Sequence, residues 1–141
     1  RKAVSPSGDR GLYVTEYFRH IDQVVSGCPA IISKELLFDE RTKYIGLVKG
    51  TLTFGDGSEL HFKEFIDTEA GIAKYKYGYH YQKGDSLIFR YDNHPYPAKK
   101  DIPSYHKHVS NQENIIPASI PDLEDVLTEV IMYLPWRNYS E

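Results

Sequence analysis

Tyr75-Lys76-Tyr77-Gly78-Tyr79-His80-Tyr81-Gln82 places a tyrosine at every second position, with lysine, glycine, histidine and glutamine between them. A period of two is that of a β-strand with one aromatic and one polar face, whereas a helix would scatter the four rings around its surface. The predicted strand runs from Ile72 to Gln82, with Tyr75, Tyr77, Tyr79 and Tyr81 on one side and Lys74, Lys76, Gly78, His80 and Gln82 on the other. Such tyrosines either pack beneath a helix or form a platform on which bases stack.

Turn signals on both sides of this stretch make it one strand of a meander. Downstream, Lys83-Gly84-Asp85 predicts a tight turn into a strand from Ser86 to Asn93. Upstream, Glu69-Ala70-Gly71 separates it from a strand over Ser58 to Thr68, and Gly55-Asp56-Gly57 is a hairpin signal joining that strand to Lys43 to Phe54. Asp39-Glu40-Arg41 is a charged turn back to an apolar-rich strand from Ala30 to Phe38.

The flanks read differently. From Leu12 to Val25 the apolar residues Tyr13, Tyr17, Ile21, Val24 and Val25 recur at helical spacing, and Gly27 and Pro29 stop the helix. After Asn93, His94-Pro95-Tyr96-Pro97, the pair Lys99-Lys100 and Pro103 form a loop without an element of its own, followed by a short edge strand at Tyr105 to Val109. A second helix has Ser119 as N-cap, Pro121 in its first turn, Asp122, Glu124 and Asp125 near the positive end of the dipole, and a stripe of Leu123, Val126, Leu127, Val130, Ile131 and Leu134 before Pro135. The fold class is therefore α+β: an antiparallel meander of five to six strands flanked by an N-terminal and a C-terminal helix. Residues 1–11 read as a loose lead-in, 12–134 as a single domain and 135–141 as a tail.

A length of 141 residues fits one hydrophobic core. Seventeen basic and twenty acidic side chains give a net charge of −3, which argues against a generic nucleic-acid coat protein. The charge is uneven: residues 74–108 carry seven basic and three acidic groups, with four of the six histidines, while residues 109–141 carry one basic and six acidic. A polyanion would meet the middle stretch. Cys28 has no cysteine to pair with, and there is neither a membrane-length apolar run nor a signal-peptide core, so a cytoplasmic protein is expected.

Phosphate loops, nucleophile elbows, zinc-protease helices and dinucleotide fingerprints are all absent. The informative constellation is Arg90-x-Asp92-Asn93-His94 with His106-Lys107-His108. Alternation puts Arg90, Asp92 and His94 on one strand face, and His106 and His108 share a face likewise. If the two segments abut, the inventory suits a metal-free ribonuclease, which needs a base for the 2′-hydroxyl, an acid for the 5′-oxygen and a cation near the phosphorane. The same groups, with Asp92 or His94 beside His106 and His108, suit a metal-dependent nuclease, and a plain solvated face is the third reading. Glu64 falls among apolar neighbours, so it is either paired with a buried cation such as Arg90 or available as a proton carrier.

Gly50-Thr51-Leu52-Thr53-Phe54 with Asp56-Gly57-Ser58, Phe62 to Thr68, Tyr75 to Gln82, Phe89-Arg90-Tyr91-Asp92-Asn93, His106-Lys107-His108-Val109 and Pro121 to Leu127 together resemble the TumE family of toxins. The resemblance implies the toxin half of a toxin-antitoxin system, with a helix-turn-helix antitoxin as partner. Tyr96 stands where that family often carries a histidine; if that histidine is the catalytic base, either this copy is weakened or His94 substitutes for it. The leading expectation is a ribonuclease without metal or cofactor. In it His106 and His108 are the acid-base pair, Arg90 and Lys107 hold phosphate charge, Asp92 orients a histidine, and Glu64 holds Arg90 or acts as a second base. Tyr77, Tyr79, Tyr81, His80, His94 and Asn93 are the further candidates for binding RNA. Replacing His106 and His108 with alanine is expected to abolish toxicity without unfolding. A non-enzymatic binding module and a group-transferring toxin are the competing classes, and a second copy of the chain is a further candidate partner.

Overall fold

The computed structural model describes residues 11–95 and 105–135. Seven antiparallel strands follow one another in chain order: β1 (Ile31–Glu40), β2 (Ile45–Phe54), β3 (Glu59–Asp67), β4 (Ala73–Lys83), β5 (Ser86–Asp92), β6 (His106–Val109) and β7 (Ile115–Pro117). Helices α1 (Val14–Ser26) and α2 (Leu123–Tyr133) lie on the same face of the sheet. Tyr17 of α1 bonds Glu64 of β3, and Tyr133 of α2 packs on Tyr81 and Phe89. No described helix is long and apolar enough to cross a membrane. All of the 1–11 lead-in but Gly11, the loop residues 96–104 and the tail after Pro135 lie outside the described residues.

The predicted α+β meander with two flanking helices is the fold found, with seven strands in place of five to six. The extra strand is β7, three residues ending in proline, too short to show a period. It pairs with β6, so the His106 strand is internal and not the edge. Pro117 on the new edge removes a donor that another chain would otherwise pair with.

Local chemistry explains the elements. Val14, Tyr17, Phe18, Ile21 and Val25 form the buried stripe of α1, whose first turn is closed by the Glu16 carboxylate accepting from the Tyr13 amide at 2.8 Å. Gly46 of β2 makes room for this helix, because a Cβ there would meet the Phe18 ring at 2.7 Å. The β2–β3 hairpin turns at Gly57, whose φ of 85° favours glycine, and Asp56 accepts from the Ser58 amide and hydroxyl at 3.0 and 2.6 Å. Helix α2 is capped by Asp122, whose carboxylate accepts from the Asp125 amide at 2.8 Å. The predicted cap Ser119 and first-turn Pro121 therefore precede the helix, since the Asp122–Asp125 pair supplies a better-placed acceptor.

Three register shifts interrupt the described ladders, at Ile32, Tyr75 and Ile88, and the last two reset the faces that matter to the site. In the β3–β4 ladder Phe65 pairs with Lys76 but Ile66 with Lys74, so Tyr75 is the extra residue. Tyr75 is thereby left exposed, and Lys74, predicted on the polar face with Lys76, is carried to the core side. A further bulge at Ile88, between the Tyr81–Phe89 and Gln82–Leu87 pairs, takes Leu87 out of the alternation that Phe89 and Tyr91 keep.

Candidate active site on the open face of the sheet

With both helices on one face, the other face presents two rows of side chains that run across the strands. Ladder partners define the first as Glu35, Thr51, His61, His80, Arg90 and His108, and the second as Leu37, Lys49, Lys63, Gly78, Asp92 and His106. Neighbours within a row sit on strands about 4.8 Å apart, and the rows are two residues, about 6.5 Å, from each other. A groove of about 990 Å³ lies over them, with Lys49, Lys63, Lys76, His80, Arg90 and Asp92 among its walls. Gly78 keeps its floor low: a Cβ there would touch only the Asp92 Cβ, at 3.9 Å, and anything larger would project into the groove.

One end of the groove is a buried ionic knot. Asp92 is 3% exposed and receives the Arg90 Nε at 2.6 Å on Oδ2 and the His106 Nε2 at 2.9 Å on Oδ1. The His94 backbone amide adds a bond to Oδ1 at 3.1 Å, and the His108 Nε2 stands 3.7 Å from Oδ2. The rings of His106 and His108 meet edge to face, 4.9 Å apart. Burial, opposed by the Gln112 carbonyl and Asp92, lowers the His108 pKa. One ligating atom from each of Asp92, His106 and His108 lies within 4.8 Å of the other two.

Toward the middle of the groove the groups become accessible. The Arg90 side chain is 31% exposed and reaches Gln112 with its other end. His80 is half-buried, and its pKa is lowered by burial and by the adjacent Arg90 charge. His61 faces it across the ladder with ring centres 6.4 Å apart, one nitrogen 3.2 Å from the Thr51 hydroxyl and the other 3.0 Å from Glu59.

Of the residues singled out from sequence, Arg90, Asp92, His106, His108 and His80 gather on this face, and His94 lines the rim. Asn93 is a fastener, extending the β4–β5 ladder by accepting from the Tyr77 amide at 3.0 Å and donating to the Tyr75 carbonyl at 2.9 Å. Glu64, Lys107 and the tyrosines are on the other face. Glu64 is fully buried under α1, accepts from the Tyr17 and Tyr79 hydroxyls and pairs with the Lys74 Nζ at 3.1 Å, so its cation is Lys74 and not Arg90. The Tyr75 bulge causes this by delivering Lys74 to that side. Lys107 is tied to Glu129 of α2. Tyr77, Tyr79 and Tyr81 are at most 3% exposed, which removes them as a stacking platform. Tyr79 is bonded to Glu64, Tyr81 lies 2.8 Å from the Ser58 hydroxyl, and the Tyr77 hydroxyl is buried without a hydrogen bond among the described residues, its pKa pushed up to about 12 by burial.

His61, Lys49, Lys63 and Thr51 were not among the sequence candidates. Their alternation places them on the polar side of β2 and β3, but only the register brings His61 beside His80 and Lys63 beside Gly78. The burial of His106 and His108, at most 3% exposed, also changes what their replacement would test. Alanine at both positions would take the His106 Nε2 bond away from the buried Asp92 and leave a void under the sheet, so unfolding is an expected outcome of that double substitution.

Neither the curated proteins nor the solved structures provide a match to this chain. The family model described as Toxin TumE matches residues 18–134, a span that holds all seven strands, α2, most of α1 and the open-face groove. The chain belongs to the TumE toxin family, and is thus the toxin component of a toxin-antitoxin system with an antitoxin as its partner.

Proposed function

We propose that this toxin is a ribonuclease that binds a single RNA strand across the open face and cleaves it by transesterification without a metal in the chemical step. The observation that carries this reading is the gathering of Lys49, Lys63, Lys76 and Arg90 around the Gly78 gap, with His61 and His80 beside it, on a face that neither described helix covers. Cations spaced by strands about 4.8 Å apart suit a phosphodiester backbone, and a gap one side chain wide suits a phosphate seated between them.

In this scheme Arg90 and Lys63 take the charge of the scissile phosphate. His80, kept neutral near pH 7 by burial and Arg90, accepts the 2′-hydroxyl proton. The 2′-oxygen forms a bond to phosphorus as the bond to the 5′-oxygen breaks, and His61 returns a proton to that oxygen. The products are a 2′,3′-cyclic phosphate and a 5′-hydroxyl. Asp92, His106 and His108 hold the Arg90 guanidinium in place from behind. The antitoxin, expected to be of the helix-turn-helix kind, would silence the toxin most simply by covering the same basic groove.

The test is incubation of purified protein with a single-stranded RNA, beside Arg90→Gln and His80→Gln. The reading expects cyclic-phosphate ends from the parent and about a hundredfold slower cleavage by Arg90→Gln. Folded parent protein that leaves RNA intact would turn attention to a non-catalytic binding role for the same face.

A further inference from the structure

The buried knot at the end of the groove has a geometry that ribonuclease chemistry does not require. We propose that Asp92, His106 and His108 form a binding site for one divalent transition-metal ion of the zinc class. This does not depend on RNA being the substrate.

Three observations carry it. First, the donor set is two imidazoles and one carboxylate, which suits zinc, cobalt or nickel; magnesium and calcium prefer oxygen ligands throughout. Second, the three donors lie close enough together to converge on one ion with small side-chain shifts. Tetrahedral zinc with ligands at about 2.0–2.2 Å needs donor atoms roughly 3.3–3.6 Å apart. Here the His106 Nε2 and His108 Nε2 stand 2.9 and 3.7 Å from the two Asp92 oxygens, and one atom from each residue lies within 4.8 Å of the others. Third, His108 is oriented as a ligand is: its Nδ1 lies 2.8 Å from the Gln112 carbonyl oxygen, which can only accept, so Nδ1 carries hydrogen and Nε2 is the ring atom turned to Asp92.

An ion in this position takes over charge compensation of Asp92, which otherwise falls to Arg90 at 2.6 Å. Its expected effect is to loosen the Arg90 guanidinium from Asp92 and leave it freer to face the groove. The ion would then tune phosphate binding from behind without touching the phosphate. The rival site on the same face is His61 with His80 and Glu59, and the experiment must separate the two.

Metal-stripped full-length chain is titrated with cobalt(II) chloride while visible absorption is followed, with zinc chloride as competitor and magnesium chloride as control. The expected result is one equivalent of cobalt bound and displaced by zinc, binding lost in Asp92→Asn and His108→Gln and retained in the His61→Gln, His80→Gln double variant. Should a buried replacement unfold the chain, imidazole nitrogen NMR of the intact protein replaces it, and zinc is expected to shift the signals of His106 and His108 and leave those of His61 and His80. Absence of cobalt binding at millimolar ion, or binding and shifts that follow His61 and His80, would overturn the site. Because the readout is metal binding, it can fail while RNA cleavage stands, and the reverse.

Discussion

Glu64 and Asp92 are both buried carboxylates in this sheet, one on each face, and they have been given opposite surroundings. Glu64 is enclosed by the hydroxyls of Tyr17 and Tyr79 and by Lys74, itself held by the Pro121 carbonyl at 2.7 Å under the helices. Burial and Glu64 push both phenols far above their usual pKa, so neither hydroxyl gives up its proton near neutral pH. Asp92 is enclosed by imidazoles and by an Arg90 whose side chain is 31% exposed to the groove. Imidazoles are the groups that titrate and ligate at neutral pH. On the proposed reading, a buried charge serves stability when its partners are inert and closed in, and serves chemistry when they are imidazoles and a cation that reaches solvent.

The comparison breaks most visibly at Glu64. Glu64→Gln leaves Lys74, whose side chain is 7% exposed, buried opposite a neutral amide, and a loss of about 3–5 kcal/mol in stability is expected. Urea denaturation checks it, and a Glu64→Met, Lys74→Met double variant should recover most of the loss. A Glu64→Gln protein as stable as the parent would show that the two carboxylates are not so different.

At Asp92 the balance between stability and activity should reverse. Arg90→Gln removes one charge-assisted bond from Asp92, a cost of about 1.5–3 kcal/mol, while RNA cleavage falls about a hundredfold. Gly78→Val sharpens the contrast further. Its Cβ meets only the Asp92 Cβ at 3.9 Å, and replacing a glycine within a strand should leave the melting temperature unchanged or raise stability by about 0.5–1 kcal/mol. The side chain nevertheless fills the groove, so cleavage is lost in a protein that melts no lower than the parent.

The smallest effect concerns His80. Burial first, then Arg90 and His61, lower its pKa, with the Gln82 side chain opposing. As pH falls the unfolded chain takes up this proton before the folded one does. Its contribution to stability is therefore fully present above the ordinary histidine pKa and is lost as pH falls through the lowered value. Thermal melts between pH 7 and pH 5 should show the decline, and His80→Gln should make it shallower.

The meander was legible in sequence because period-two alternation and the glycine turns at Gly57 and Gly84 are local signals. The bulge at Tyr75 was not, since one extra residue in a ladder leaves no mark in the pattern, and it moved Lys74 across the sheet to Glu64. The candidate site shows the same division. Arg90 with Asp92 and His106 with His108 could each be placed on one face by alternation within a strand. Which face Glu64, Lys107 and the tyrosines share with them depends on the register between strands, and so did the finding of His61 and Lys63 beside the Gly78 gap.

The central claim is that the chemistry belongs to the open face between Gly78 and Asp92. The most direct measurement is the rate of RNA cleavage by purified parent protein and by Gly78→Val, with a melting curve for each. Cleavage by the parent and none by an equally stable Gly78→Val protein is the predicted result. Equal cleavage by the two, or no cleavage by the folded parent, would contradict it.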